Sequence, residues 1–366
     1  MQFLRLLLLP FSLLYGIVMW FRNVFYDRNI LKETSFPIPV ISVGNLTTGG
    51  TGKTPHIEYL ISLLHNTFKV ATLSRGYGRR TSGFLLVADP STTSMIGDEP
   101  MQYHSKFKDI IVSVGEDRVA AIQHLSLIET KPEVILLDDA FQHRSVKPGI
   151  NILLIEYDKV MNVDYPLPAG NLREWKSGMK RADLIIISKS PAILVPIERK
   201  RIIEHLKPAH HQQVYFTCYK YGEFTRVNAK PGTMFMSSAY YLEKRFTIVL
   251  VTGIANPSGL YEYLRRHTDK IEKITFPDHH EYTLGDIQKI RETFDNIANS
   301  SKIIVTTEKD AMRLRSPELE EAIKQLPFFY LPIEVMFHND KEKFDQTITE
   351  YVRKNQPHRL IHQAAD

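Results

Sequence analysis

Residues 47–54 read Thr-Thr-Gly-Gly-Thr-Gly-Lys-Thr and lie between two segments of different character. An apolar run from Ile38 to Val43 precedes them, and Ile57 to Leu64 follows with the pattern of an amphipathic helix. Glycines between a strand and a helix let several backbone N–H groups converge on a phosphate, and the helix adds its positive N-terminal end. These residues therefore predict a phosphate-binding loop; the alternative is a plain glycine-rich turn ahead of a helix.

The loop predicts a role for each of its polar residues. Lys53 would neutralise β- and γ-phosphate charge, and the Thr54 hydroxyl would ligate Mg²⁺. Thr47 stands where such loops usually begin with glycine. The residues expected to bind the nucleotide are Thr48, Gly49, Gly50, Thr51, Gly52, Lys53 and Thr54.

A pair of carboxylates follows a second apolar run. Val134 to Leu137 reads as a strand, and Asp138 and Asp139 come directly after it. Ligands collect at the carboxyl ends of strands in open α/β sheets, so we expect both aspartates near the metal. ATP is favoured over GTP, because no Asn-Lys-x-Asp guanine reader is found.

Strand-like and helix-like segments alternate along most of the chain. Runs rich in Val, Ile and Leu between helices predict an α/β fold with a mostly parallel sheet covered on both faces. A second, smaller α/β block follows the polar stretch from Gly222 to Lys230. We expect an N-terminal helix over residues 1–28, a core α/β/α domain over 29–225, and a C-terminal α/β/α domain over 226–366 that closes over the site.

Sixteen residues from Leu6 to Phe21 carry no charge, and Arg5 and Arg22 flank them. A helix of this length reaches about 24 Å, less than the roughly 30 Å of a bilayer's hydrocarbon core. Trp20 and nearby tyrosines and arginines are typical of an interface anchor. The pattern favours a membrane-associated helix over a buried core helix and leaves open whether it spans.

Composition narrows the chemistry. The chain has 366 residues, 46 basic and 41 acidic, for a formal net charge of +5. The basic residues are scattered, so no nucleic-acid partner is expected. The single cysteine, Cys218, excludes an internal disulfide and a thiolate metal cluster, and it reads as a strand residue.

Four further clusters are candidates for an acceptor site. Gly97-Asp98-Glu99-Pro100 places two acids on an expected loop, and Phe141-Gln142-His143-Arg144 follows the aspartate pair. Ala169 to Glu174 offers an arginine beside an acid, and Phe276-Pro277-Asp278-His279-His280 puts two imidazoles in the second block. Taken singly, each is more often a turn, a surface ion pair or a solvated pair of histidines.

Taken in order, these motifs resemble the tetraacyldisaccharide 4'-kinase family over roughly residues 1 to 337. The resemblance is carried by a series of segments: Val43-Gly44-Asn45-Leu46 before the loop, Leu73-Ser74-Arg75-Gly76-Tyr77-Gly78-Arg79, Gly97 to Pro100, Asp138-Asp139-Ala140-Phe141-Gln142-His143, Pro168 to Glu174, Phe276 to His280 and Thr307-Glu308-Lys309-Asp310-Ala311. The family tolerates threonine at position 47. Ala140 and Trp175 stand where glycine and proline are common.

The resemblance implies ATP- and Mg²⁺-dependent phosphorylation of the 4'-hydroxyl of a tetraacylated glucosamine disaccharide 1-phosphate, a step of lipid A synthesis. It places the enzyme on the cytoplasmic face of the bacterial inner membrane, with no obligate protein partner. It also implies Asp98 as the base and His279 as its partner, with His280 as the alternative.

The same resemblance assigns the remaining candidates. Glu99, Asp138 and Asp139 would share the metal with Thr54, in roles that the sequence does not divide. The residues expected near the substrate are Asn45, Arg75, Tyr77, Arg79, His143 and Arg173.

Two other readings stay open. A P-loop ATPase that acts on a protein partner would need neither an acceptor base nor a sugar site. A module that binds nucleic acid or membrane through its basic charge would need no catalytic residues, but it has little support, because the 46 basic residues are scattered and nearly balanced by 41 acidic ones.

Overall fold

The computed structural model describes residues 7–228 and 236–356. The strands of this part of the chain are β1 (Val40–Asn45), β2 (Val70–Ser74), β3 (Leu85–Leu86), β4 (Ile111–Val114), β5 (Val134–Asp138), β6 (Ile150–Glu156), β7 (Leu184–Ser188), β8 (Gln213–Tyr221), β9 (Thr225–Arg226), β10 (Thr247–Thr252), β11 (Ile271–Thr275), β12 (Lys302–Thr307), β13 (Phe328–Leu331) and β14 (Ile333–Phe337).

The α-helices of the same residues are α1 (Leu9–Asp27), α2 (Lys53–Leu64), α3 (Thr93–Ile96), α4 (Asp98–Lys106), α5 (Arg118–Leu127), α6 (Pro196–Leu206), α7 (Ser238–Glu243), α8 (Ser258–Arg265), α9 (Leu284–Asp295), α10 (Glu308–Leu314), α11 (Glu320–Lys324) and α12 (Lys341–Lys354). The strands predicted at 38–43 and 134–137 and the helix predicted at 57–64 occur as β1, β5 and α2, each within about four residues of its expected bounds.

The first sheet runs β14-β8-β7-β6-β1-β5-β2-β4-β3 through the described residues. Its neighbours pair in parallel from β8 to β4, and both edge strands are antiparallel. Because β1 and β5 are adjacent and parallel, the phosphate-binding loop and the aspartate pair leave the sheet at the same edge.

Helices cover both faces of this sheet, as the buried apolar strands require. The apolar side of α2 packs into one core, where Ile57 and Ile61 are fully buried. On the other face Ala121, Ile122 and Leu125 of α5 pack against β2 and β5. The expected three-layer arrangement is therefore observed.

The second sheet runs β11-β10-β12-β13-β9. Its first strand along the chain starts at Thr225, close to the expected boundary. The end of the expected C-terminal domain, however, is wrong. Strand β14 pairs with β8 of the first sheet. Phe344, Ile348 and Val352 of α12 lie in the first sheet's core. We call each sheet with the helices packed on it a unit, the first and the second. Residues 333–356 belong to the first unit, because their apolar side chains complete its core.

One local prediction is also corrected. The segment Gly97-Asp98-Glu99-Pro100 is not a loop, since α4 begins at Asp98. Gly97 precedes it with φ of +93°, a conformation that side chains with a Cβ rarely adopt. The ends of the expected domains at residues 1–6 and 357–366, and residues 229–235, lie outside the described residues.

Candidate active site

The glycine-rich loop joins β1 to α2 with two glycines in the left-handed region. Gly49 has φ of +100° and Gly52 has φ of +88°. A Cβ at Gly52 would lie 1.8 Å from the Tyr219 hydroxyl oxygen, whereas Gly49 and Gly50 face open space. The backbone before Lys53 can therefore approach a ligand closely while Tyr219 supports it from behind.

Neighbouring segments hold this loop in place. The Thr48 N–H donates to the Asn171 carbonyl at 2.7 Å, and the Ser188 hydroxyl donates to the Thr51 carbonyl at 2.8 Å. The Thr51 hydroxyl is buried without a hydrogen-bond partner, and Thr54 is buried in the first turn of α2. The loop is thus shaped before any ligand binds, with polar atoms left for one.

Lys53 lies between two polar side chains at the sheet edge. Its Nζ is 3.4 Å from Asn45 Oδ1 and 3.5 Å from Asp139 Oδ1. Arg173 Nη1 donates to the same Asp139 oxygen at 2.6 Å. Asn45 is fully buried, so its side chain supports the Lys53 ammonium at the loop.

Asp138 ends β5 and pairs in register with Val43 of β1. The Tyr103 hydroxyl donates to Asp138 Oδ2 at 2.9 Å, and Oδ1 is buried without a partner. Burial, together with the negative charges of Glu99 and Asp139, raises the pKa of Asp138 to about 6. A cation at this carboxylate would relieve that electrostatic cost.

These oxygens fit a magnesium ion in part. The unpartnered Oδ1 of Asp138 and the hydroxyl of Thr54 are the hard oxygen ligands that Mg²⁺ takes. The Glu99 carboxylate, the other predicted ligand, forms an ion pair with Lys309. Within residues 7–228 and 236–356, no group of three acidic, histidine or cysteine side chains could hold a metal. A magnesium ion here would take its other ligands from nucleotide phosphates and water, as is usual for Mg²⁺.

The first turn of α4 carries a carboxylate that contacts the second unit. His279 Nδ1 lies 2.8 Å from Asp98 Oδ2. His279 sits in a left-handed conformation with φ of +58°, and its N–H donates to the Gly253 carbonyl at 3.1 Å. The two residues that the resemblance pairs are therefore in hydrogen-bond contact in the structure.

Arg313 of α10 is a second partner of Asp98 that sequence reasoning missed. Its Nε and Nη2 donate to Asp98 Oδ2 at 3.1 and 2.5 Å. Burial alone would raise the pKa of Asp98, but hydrogen bonds from His279 and Arg313 hold that pKa well below its ordinary value. The carboxylate is therefore ionised throughout the physiological range.

His280 has a different environment from its neighbour. Its Nε2 lies 3.0 Å from Asp286 Oδ2, and its ring stacks on Phe276 with centroids 4.5 Å apart. His279, not His280, contacts Asp98. The structure thereby distinguishes the two imidazoles that the sequence left as alternatives.

A buried arginine adds positive charge near the aspartate pair. Arg118 is 1% exposed, and its Nε and Nη2 have no hydrogen-bond partner among the described residues. Burial, with Arg118 and Arg75, lowers the pKa of His143 to about 4, so His143 is neutral near pH 7. Arg118 was not predicted, since no motif marks it. Together these side chains suit an anion.

Arg79 and Tyr77, which follow β2, lie in different surroundings. Arg79 Nη2 donates to the Gly83 carbonyl at 2.6 Å and pairs with Glu116, and the Arg79 side chain is only 2% exposed. These contacts engage the Arg79 side chain within its own surroundings, whereas the resemblance implies a place near the substrate. Tyr77 is 67% exposed, with its ring centroid 5.1 Å from that of His279, so it lies at the site.

Comparison with known families gives this geometry an identity. A family model described as LpxK, tetraacyldisaccharide-1-P 4'-kinase, matches residues 4–353. The chain belongs to this family.

Relatives of the family cover almost the whole chain. A tetraacyldisaccharide 4'-kinase from Phocaeicola vulgatus is 46% identical over 357 residues, which are 95% of each chain. One from Flavobacterium johnsoniae is 44% identical and covers 97% of this chain and 99% of its own. The crystal structure of LpxK from Aquifex aeolicus in complex with ATP has 30% identity and a TM-score of 0.72, covering 95% and 99%.

Membership confirms several predictions made from the motifs. The chain is a kinase, and its α/β fold with a P-loop core is that of LpxK.

In this LpxK-family chain, the N-terminal helix docks beside the active site. The Tyr15 hydroxyl donates to the Arg173 carbonyl at 2.8 Å. Trp175 Nε1 donates to the Gly16 carbonyl at 2.8 Å, and a Cβ at Gly16 would overlap the Trp175 ring. Helix α1 is therefore attached to the segment that carries Arg173.

A buried glutamate extends this attachment. Glu174 is 1% exposed and accepts hydrogen bonds from Asn23, Gln142 and Arg181 at 2.8, 3.0 and 2.8 Å. The Gln142 Nε2 also donates to the Asn45 carbonyl at 2.9 Å. One carboxylate thus links α1 to the strand that precedes the phosphate-binding loop.

The outer side of α1 is apolar and exposed. Only Ser12 and Gly16 of this helix are buried. The large apolar side chains of α1 that are exposed to solvent are Phe11, Leu13, Leu14, Ile17, Val18, Trp20, Phe21 and Phe25. The exposed fraction of Phe11 is 63%. None of the helices in the described residues is long and apolar enough to cross a membrane.

Proposed function

We propose that this chain transfers the γ-phosphate of ATP to the 4'-hydroxyl of a tetraacylated glucosamine disaccharide 1-phosphate. The observation that carries the proposal is the contact of His279 with Asp98, on the helix whose Tyr103 donates to Asp138 beside the phosphate-binding loop. An ATPase without an acceptor has no need of a carboxylate–imidazole pair. The names of the family and its relatives state the same reaction.

Asp98 is the residue that accepts a hydrogen bond from the acceptor hydroxyl and later takes its proton. Its Oδ2 takes the donors of His279 and Arg313, and its Oδ1 makes no hydrogen bond within the described residues. Oδ1 is thus free to accept a hydrogen bond from a sugar hydroxyl. A carboxylate with a low pKa is a weak base, so it orients the hydroxyl and takes its proton late, which suits a loose phosphoryl transition state.

His279 supports that step through its charge. The hydrogen bond to Asp98 raises the pKa of His279. An imidazolium beside Asp98 keeps the carboxylate ionised and stabilises its position.

The donor side is held by the loop. Backbone N–H groups around Gly49 to Gly52 face the phosphates, and Lys53 adds a positive charge. Thr54 and Asp138 would hold Mg²⁺, which would supply positive charge to the phosphate groups of the nucleotide. Asp139 orients Lys53 and Arg173, to which it is hydrogen-bonded or ion-paired.

The acceptor's anionic and polar groups are bound by side chains beside the loop. Arg118 and Arg75 supply positive charge, and neutral His143 supplies a hydrogen bond. Tyr77 packs beside His279 and can contact the sugar. Arg173 extends this positive surface toward α1.

Helix α1 places the enzyme on its membrane. Its exposed apolar side chains bury favourably in the acyl boundary of a bilayer, at about 25 cal/mol per Å² of apolar surface. The substrate carries acyl chains, so the helix and the lipid share one surface. The location is the cytoplasmic face of the bacterial inner membrane, where ATP is available.

Purified protein with labelled ATP, Mg²⁺ and the acylated disaccharide 1-phosphate in detergent tests this function. We expect label in the lipid with wild type, and none with Lys53→Ala. Asp98→Asn should lower kcat by about 10² or more while nucleotide binding survives. Hydrolysis of ATP without label in the lipid would favour an ATPase that acts on another partner.

A further inference from the structure

Helix α10 is joined to α4 by three ion pairs that link the second unit to the first. Arg313 pairs with Asp98, and Lys309 pairs with Glu99. Glu308 lies 3.3 Å from Lys106. The motif from Thr307 to Ala311 has no role in the reaction described above, yet the helix that starts there carries all three α10 partners.

Arg313 is the most completely bound of these side chains. Its Nε and Nη2 both donate to Asp98 Oδ2. Its Nη1 donates to the Gly253 carbonyl at 2.8 Å and to Asp310 Oδ1 at 2.9 Å. The Arg313 side chain is 4% exposed. Every nitrogen of the guanidinium therefore has a partner, and its orientation is determined.

The residue behind Arg313 is held just as firmly. Asp310 is fully buried. Its Oδ2 accepts hydrogen bonds from the Gly253 N–H at 3.0 Å and the Thr307 hydroxyl at 2.7 Å. Asp310 therefore fixes the guanidinium from the second unit's own backbone, and Arg313 transmits that position to Asp98.

The contact also selects which carboxylate oxygen is free. Arg313 and His279 both bind Oδ2, and the described residues make no hydrogen bond to Oδ1. A planar guanidinium with two donors on one side fixes the carboxylate, whereas an ammonium is a compact point charge on a flexible stem.

We propose that Arg313 is a positioning residue for the phosphoryl transfer: it holds Asp98 with Oδ1 toward the acceptor, so the base is complete only while α10 is docked against α4. The proposal rests on the proposed function, because it acts through Asp98. The Thr307–Ala311 motif then contributes to catalysis by starting the helix that positions Arg313 against Asp98.

The competing explanation is that Arg313 only stabilises the contact between the two units and does not position Asp98. Glu308 offers a matched control for that explanation. Glu308 lies on the same helix and in the same interface, but it pairs with Lys106 rather than Asp98. Glu308→Gln should leave kcat within about threefold of wild type, since no catalytic group loses its position. Arg313→Gln should lower kcat by about 10²-fold, the usual effect of a misplaced catalytic group.

A double-mutant cycle with Asp98→Asn decides whether Arg313 acts through Asp98. If it does, Arg313→Gln added to Asp98→Asn should change kcat by less than about threefold, because residues that act as a unit are strongly non-additive. If the double variant instead loses a further factor of about 10² in kcat, the proposal is overturned, and Arg313 only stabilises the contact between the two units.

The pH dependence of kcat provides a measurement that a purely structural role of Arg313 would not change. The charged groups that face Asp98 are His279, Arg313, Lys309 and Glu99. Removing Arg313 takes away a cation, so the acid limb of kcat should move to higher pH. Arg313→Lys should keep the acid limb close to wild type while kcat stays low, because it restores charge but not the two-point contact.

The outcomes separate the two proposals. If Asp98→Asn turns over like wild type, the base assignment fails and Arg313 loses its role with it. If Asp98→Asn is slow while Arg313→Gln keeps the kcat and acid limb of wild type, only the Arg313 proposal fails. If Arg313→Gln does not fold, Arg313→Lys carries the cycle, and a wild-type kcat in that variant overturns the proposal.

Discussion

The Nδ1 of His279 lies 2.8 Å from Oδ2 of Asp98, which joins the second unit to the first turn of α4. Arg313 binds the same oxygen from α10. The proposed base is therefore assembled from both units, and its contacts depend on how they dock. Substitutions in the second unit can thus change the chemistry of a residue in the first.

The adjacent histidines form a matched pair for mutation. His279→Gln should lower kcat by about 10² without a large change in nucleotide binding, because it removes the partner of Asp98. His280→Gln should lower the melting temperature and leave kcat close to wild type, since His280 contacts Asp286 and Phe276. Steady-state kinetics and thermal melting of both variants measure this, and a larger kcat loss at His280 would reverse the assignment.

The Asp98–His279 contact should make stability depend on pH. The folded-state pKa of His279 is raised by its hydrogen bond to Asp98. Its contribution is therefore fully present below the unfolded pKa of about 6.5 and is lost as pH rises through the folded value. The difference in melting temperature between wild type and His279→Gln should be largest at about pH 6 and shrink toward about pH 9. A difference that grows with pH would contradict this.

Two arginines predicted or found near the site should behave differently. Arg118→Gln should raise KM for the lipid or lower kcat by about 10², because two of its buried nitrogens lack protein partners. Arg79→Gln should instead lower the melting temperature with little effect on either constant, since Arg79 pairs with Glu116. If Arg79→Gln raises KM for the lipid as strongly as Arg118→Gln, the substrate contact that the resemblance implies for Arg79 would be supported instead.

The outer face of α1 should bind lipid bilayers. Leu14 and Val18 are 62% and 57% exposed, so replacing both with glutamate should not disturb packing. The double variant should lose most of its co-sedimentation with anionic vesicles, because charge opposes burial in the acyl boundary. Leu127→Glu, at an 81% exposed position outside α1, is the control. Equal vesicle binding by the α1 variant and wild type would show that another surface attaches the protein.

Much of the fold could be predicted because its signals are local. The strand, glycine-rich loop and helix from residue 38 to 64 are contiguous, and α2 begins at Lys53 as the loop requires. The apolar run before Asp138 likewise became β5, beside β1. The return of residues 333–356 to the first sheet was missed, because the apolar side of an amphipathic helix such as α12 does not indicate which core it completes.

The candidate site divides in the same way. Lys53, Asp98 and His279 were found from their motifs, and the structure brings Asp98 and His279 together. Arg118 and Arg313 were missed, since each is one arginine among many until its neighbours are known. The resemblance implied Glu99 as a metal ligand, and only the structure shows that Lys309, from a helix distant in sequence, pairs with its carboxylate.

By itself, the sequence determined the phosphate-binding loop, the alternating α/β pattern and the family, because these depend on residues that are neighbours in the chain. Only the tertiary structure decided which charges face each other: His279 rather than His280 at Asp98, Lys309 at Glu99, and Arg79 in a structural ion pair. The physical reason is that electrostatic interactions depend on distance and burial, and both are set by how the two sheets and their helices pack.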